Sequence, residues 1–97
     1  MGDVEAFAVP GIKCYFPSAD HDPQHFEAYR RGEYVVRVYF LRTTRTRGLN
    51  WDYKLRMRGG EFPIAHQQAL HALVMKNKRR LLREWNVKVC TQRETVP

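Results

Sequence analysis

The run Tyr34 to Leu41, YVVRVYFL, constrains the fold more than any other segment of this chain. It is almost wholly apolar and built from β-branched and aromatic residues, which suit a pleated, buried surface. The sequence therefore predicts that it is the central strand of a sheet. Ile12 to Phe16 alternates Ile12, Cys14 and Phe16 against Lys13 and Tyr15, behind the turn pair Pro10-Gly11. His25 to Tyr29 alternates again, and Arg31-Gly32-Glu33 reads as a hairpin turn into the central run. Trp51 to Arg58 is the cleanest strand pattern, with Trp51, Tyr53, Leu55 and Met57 on one side and Asp52, Lys54, Arg56 and Arg58 on the other. Glu5 to Val9 is a further short candidate. Thr43 to Asn50 is polar and is expected to be an exposed loop or a long hairpin tip.

Beyond Gly59-Gly60, Pro63 is expected in the first turn of a helix, where its missing N–H costs nothing. From Ile64 to about Trp85 the residues Leu70, Leu73, Val74, Leu81, Leu82 and Trp85 fall on one helical stripe, with a break point available near Asn77. Residues 91–97 read as a polar, disordered tail. The 97 residues make a single α+β domain, a small antiparallel β-meander packed against one long C-terminal amphipathic helix, with no room for a second core.

Charge is distributed unevenly. Through Val36 three basic residues face six acidic ones, a net of −3, and from Arg37 onward fourteen face four, a net of +10. A concentrated excess attracts phosphate or an acidic partner, so nucleic acid and an acidic protein are the two partner classes expected. The candidate phosphate contacts are Arg42, Arg45 and Arg47 in the loop, Lys54, Arg56 and Arg58 on a strand, and Lys76, Arg79 and Arg80 on the helix, where Lys78 and Arg83 add to the cluster. Alternation aims the strand cations in one direction, which favours the loop and strand over a helix cluster that wraps around its axis. Trp51 and Tyr53 share a stripe with Leu55 and Met57 and are expected in the core; an open face would instead let them stack on bases. No apolar run is long enough to span a membrane, MGDVEAFAVP lacks signal-peptide features, and Cys14 and Cys90 lie at opposite ends of the chain. Two free thiols in a reducing, cytoplasmic setting are the expectation.

The segment Asp20-His21-Asp22-Pro23-Gln24-His25-Phe26-Glu27 is the other unusual feature. In a tight turn its imidazoles and carboxylates come close together. That suits general acid–base work near neutral pH, with His21 and His25 as the candidate pair acting on a phosphodiester. The alternative is structural: Asp20 and Asp22 cap turns while the histidines pack. As a metal set, His21, His25 and Glu27 are only partial, without a cysteine pair or the helical spacing of metalloproteases, so neither metal nor cofactor is expected.

These same segments, GIKCYF (Gly11 to Phe16), DHDPQHFEAYRRGEY (Asp20 to Tyr34) and the end of KNKRRLLREWN (Leu81 to Asn86), resemble a small bacterial family known as domain of unknown function 4160. That family typically shows a Gly-Ile strand, a D-H-x-P-P-H-F-H turn, a Tyr-x-x-x-Glu-Tyr hairpin and a helix ending in L-L-x-x-W. Here Gln24 replaces the second proline, Glu27 stands where another histidine is usual, and Asn77 falls where a histidine is common. The stretch from Arg42 to Gly60 is longer and more basic than the family's short acidic hairpin. The resemblance implies a component of a toxin–antitoxin module. The expected function is a small basic nucleic-acid-binding or toxin-like accessory protein of such a module or of a mobile element. The alternative is a non-enzymatic module or inhibitor that binds an acidic protein, such as a cognate antitoxin-like partner.

Overall fold

A computed structural model describes residues 2–17, 23–57 and 59–90. The expected turn at Asp20 to Asp22, the side chain of Arg58 and the tail 91–97 lie outside the described residues. Five strands, β1 (Gly2–Asp3), β2 (Lys13–Phe16), β3 (Phe26–Arg30), β4 (Tyr34–Val38) and β5 (Trp51–Arg56), form one antiparallel sheet in sequential order. One helix, α1 (Ile64–Trp85), follows and runs on into a π-helical turn at Asn86–Cys90. This is the two-layer α+β meander and helix that the periodicities predict.

The core lies between sheet and helix. Tyr34, Val36 and Val38 of β4 point into it beside Phe26 and Ala28 of β3, and meet Leu70, Val74, Leu81 and Trp85 of α1. Trp85 stands edge-on to Phe16, with ring centroids 6.4 Å apart. β4 has neighbours on both sides, β3 and β5, as its composition requires. It ends at Val38, before Leu41, because the chain turns there: Tyr39 donates its backbone N–H to the Asn50 carbonyl and Arg42 donates to Tyr39. Phe40 still enters the core, while Leu41 is left exposed.

Three elements differ from the sequence pattern. Glu5 to Val9 is not a sheet strand. The Glu5 backbone N–H instead donates to Glu84 Oε1 at 2.7 Å, and the pairing with β2 is made by Gly2 and Asp3, opposite Phe16 and Tyr15. Pro63 takes the cap position itself, with extended ψ of 152°, and α1 begins one residue later. β5 carries a bulge: Val36 pairs with Tyr53 and Val35 with Leu55, so Lys54 is an extra residue. Trp51 and Tyr53 therefore share the core side with Val38 and Val36. Leu55 shares the opposite side with Val35 and is 55% exposed, contrary to the expected four-residue core stripe.

Asn77 interrupts α1. Its φ and ψ of −120° and 17° are not helical, and its side-chain amide donates to the Leu73 carbonyl at 2.8 Å. Asparagine is suited to such a break because its short amide competes for backbone partners. At the far end Lys88 clamps the N-terminal segment to the helix through the Asp3 carbonyl at 2.8 Å, Glu5 at 2.6 Å and Glu84 at 3.1 Å. Burial opposes the Lys88 charge, but the hydrogen bonds to the two carboxylates outweigh it and raise its pKa.

Gly60 is buried against the backbone of Glu33, and a Cβ built there would lie 2.0 Å from the Glu33 carbonyl oxygen. Backbone on both sides leaves no flexible atom to move aside. Gly60→Ala is expected to lower stability by about 2 kcal/mol or more, read as a fall in the urea midpoint without a change in slope.

Candidate nucleic-acid interface

The location of the surplus charge depends on which cations are already neutralised. Arg30 pairs with Glu33, Arg37 with Asp52 at 3.1 Å, Lys54 with Glu27 at 2.9 Å, Arg56 with Glu61 at 3.7 Å, and Lys88 with both Glu5 and Glu84. Among the described residues, Arg42, Arg45, Arg47, Lys76, Lys78, Arg79, Arg80 and Arg83 form no ion pair. Lys13 and Arg31, exposed at the far end of the sheet, are also unpaired, but most of the unneutralised charge among the described residues lies on the loop and the helix.

On α1, Lys76, Arg79, Arg80 and Arg83 are all exposed and occur at offsets of 0, 3, 4 and 7, which places them on one face. Over that interval the helix rises by about 10 Å. With Met75, Asn77 and Lys78 they line one shallow cleft on the outer surface. Arg80 also donates to the Glu5 carbonyl at 3.3 Å. This is not the dispersed cluster that adjacent basic positions suggest. Lys78 alone turns partly inward, and the remainder make a stripe that their spacing already encodes.

The loop from Thr43 to Asn50 is better ordered than its polarity implies. Thr43 is buried, its hydroxyl donating to the Tyr39 carbonyl at 3.2 Å and accepting from Asn50 N–H at 3.0 Å. Thr44 and Gly48 exchange backbone hydrogen bonds around a left-handed Gly48 (φ 81°). His71 Nε2 donates to the Thr44 carbonyl at 2.8 Å and ties the loop to α1. Arg42, Arg45 and Arg47 project from this braced loop, all exposed, with the Arg42 guanidinium 5.6 Å from the Tyr39 ring centre.

The strand cations do not act together. Lys54 lies on the sheet face that α1 leaves uncovered, where it meets Glu27, whereas the bulge turns Arg56 to the other face, opposite Tyr34, where it donates to the Gly60 carbonyl at 3.0 Å. Arg58 lies outside the described residues. Simple alternation misses this because an inserted residue resets the period of two.

Of the two histidines, His21 falls outside the described residues. His25 is 4% exposed; its Nδ1 donates to the Pro23 carbonyl at 2.9 Å, and the ring packs between Tyr39 and Trp85 at centroid distances of 5.5 and 6.0 Å. Glu27 is 1% exposed and accepts from the Tyr15 hydroxyl at 2.8 Å as well as from Lys54. Among the described residues no three histidine, cysteine, aspartate or glutamate side chains are placed to hold a metal ion, and no helix is long and apolar enough to cross a membrane. Cys14 is buried, which pushes its thiol up to about 12 and leaves it unreactive at neutral pH. No family model, curated protein or solved structure matches this chain. The likeness to domain of unknown function 4160 thus rests on the quoted segments alone.

Burial, and then the hydrogen bond to Glu27, push the Tyr15 hydroxyl up to about 12. An unfolded tyrosine titrates near 10, so the native state holds this proton longer than the unfolded state does. The corresponding stability is complete below about pH 10 and is lost as pH rises toward 12. Tyr15→Phe has no such proton to lose. The stability advantage of the wild type over this variant is expected to shrink between pH 10 and 12, as read by urea unfolding at both pH values.

Proposed function

We propose that this protein binds nucleic acid, RNA or DNA, as a non-catalytic accessory component. The observation that carries the proposal is the row of unneutralised cations, Lys76, Arg79, Arg80 and Arg83, on one exposed face of α1, with Arg42, Arg45 and Arg47 on a braced loop beside the same helix. Phosphate contacts of this kind act through charge and counterion release and need no exact catalytic constellation. The segments that resemble domain of unknown function 4160 add a setting, a small toxin–antitoxin or mobile-element module. The burial of His25 favours a packing role for it over proton transfer to a substrate.

Binding to a labelled oligonucleotide, followed by fluorescence anisotropy from 50 to 300 mM salt, tests the proposal. An interface of four or so phosphates predicts a plot of log K against log salt with a slope of about −3. Arg79→Ala/Arg83→Ala should weaken binding at every sequence and reduce the slope by roughly 1 to 2. Its melting temperature should hardly move, because both side chains are exposed and unpaired. Binding that ignores salt and the double substitution would overturn the proposal. Capture of one acidic protein through the same stripe, with no nucleic acid, would replace it.

A further inference from the structure

A second feature adjoins the cationic stripe. Between the loop and the first two turns of α1 lies a cleft of about 190 Å³, lined by Arg47, Leu49, Ile64, Gln67, Gln68 and His71. We propose that it receives one unstacked base of a single-stranded nucleic acid whose phosphates follow the helix. This inference rests on the phosphate-binding function proposed above and names its ligand more closely.

The lining has the chemistry that base recognition uses. Unpaired bases are held by stacking on aromatic, imidazole or guanidinium planes and by hydrogen bonds to their edges. The cleft offers two such planes, the His71 ring and the Arg47 guanidinium, with apolar surface from Leu49 and Ile64. Two of its lining side chains are held in place: His71 is anchored to Thr44, and the Gln67 amide donates to the Phe62 carbonyl at 2.9 Å. Gln68 is exposed, and its amide presents both a donor and an acceptor to an incoming base edge. Ile64 is 69% exposed, the most exposed large apolar side chain among the described residues. The volume is smaller than a drug-sized pocket and suits one heterocycle.

Placement on the helix joins cleft and stripe. His71 and Met75 are four apart before the break at Asn77, and Met75 lines the same shallow cleft as Arg79 and Arg83 beyond it. From His71 to Arg79 the rise is about 12 Å, so a strand with a base in the cleft passes over Met75 and brings its neighbouring phosphates to the arginines. A base paired within a duplex cannot leave its stack to enter without a cost of a few kcal/mol, whereas an unpaired one can. Single strands and loops are thereby selected over duplex.

The test compares three labelled ligands by anisotropy at fixed salt: a mixed-sequence single-stranded 12-mer, the same strand in a duplex, and the same strand carrying abasic sites throughout. The intact single strand should bind at least tenfold more tightly than the abasic one and more tightly than the duplex. Gln68→Ala/Ile64→Ala, which removes two exposed side chains, should reduce the intact strand to the abasic level while leaving abasic binding unchanged. Equal affinity for intact and abasic strands, or no effect of the double substitution, would overturn the base site and leave phosphate binding standing. Failure of all three ligands to bind would overturn both.

Discussion

A carboxylate, Glu27, sits almost wholly buried on the sheet face that carries no helix, and the arrangement of charge elsewhere depends on how it is held. An ionised group removed from water needs both a countercharge and hydrogen bonds. Lys54 and the Tyr15 hydroxyl supply them. Lys54 reaches Glu27 from two strands away on the face where alternation along β5 already places it, and the bulge adds Leu55 to that face. The bulge also bends and interrupts an edge strand, which makes it a poorer template for pairing with a second chain. Breaking the pair from the lysine side leaves a buried anion with the Tyr15 hydroxyl alone, so Glu27 and Lys54 act as one structural unit.

Two more carboxylates of the acidic first third are held by cations in the same way. Glu5 meets Lys88 and Glu33 meets Arg30, while Asp52 holds Arg37 in the second half. The sequence shows a negative and a positive segment, and the fold does not keep them apart. Instead the N-terminal arm docks against the end of α1, and the Glu5 carboxylate neutralises Lys88 there. Among the described residues, most of the charge that meets no carboxylate lies on the loop 42–47 and on the outer face of α1, with Lys13 and Arg31 apart from it. A net charge of +7 is thus expressed over only part of the surface, where the local potential is stronger than an even spread would give.

Much of the fold was legible because its period was unbroken. Tyr34 to Val38, Phe26 to Arg30 and the stripe Leu70, Val74, Leu81 and Trp85 each follow one face for their whole length, and Asn77 announced its interruption through its side-chain chemistry. The misses occur where a tertiary contact outweighs local pattern. Glu5 leaves the sheet for Glu84, and Lys54 interrupts an otherwise regular alternation. Thr43 is drawn inward by two hydrogen bonds that no propensity of threonine foretells. The helix stripe is a different case: its offsets of 0, 3, 4 and 7 were in the sequence, but adjacent basic residues obscured them.

Catalysis and binding place different demands on these residues. An acid–base pair must present a proton within hydrogen-bond reach of a substrate, and a histidine packed between Tyr39 and Trp85 with Nδ1 engaged by Pro23 is oriented by the core. Glu27 is likewise committed, its carboxylate held by Lys54 and the Tyr15 hydroxyl. Phosphate recognition needs only cations that are exposed, unpaired and held on a rigid frame. The helix supplies the frame, its hydrophobic stripe fixes which face looks outward, and the loop is braced against it at His71. Among the described residues, the cations of the helix surface and loop meet those demands, and the proposed binding function is placed on them for that reason.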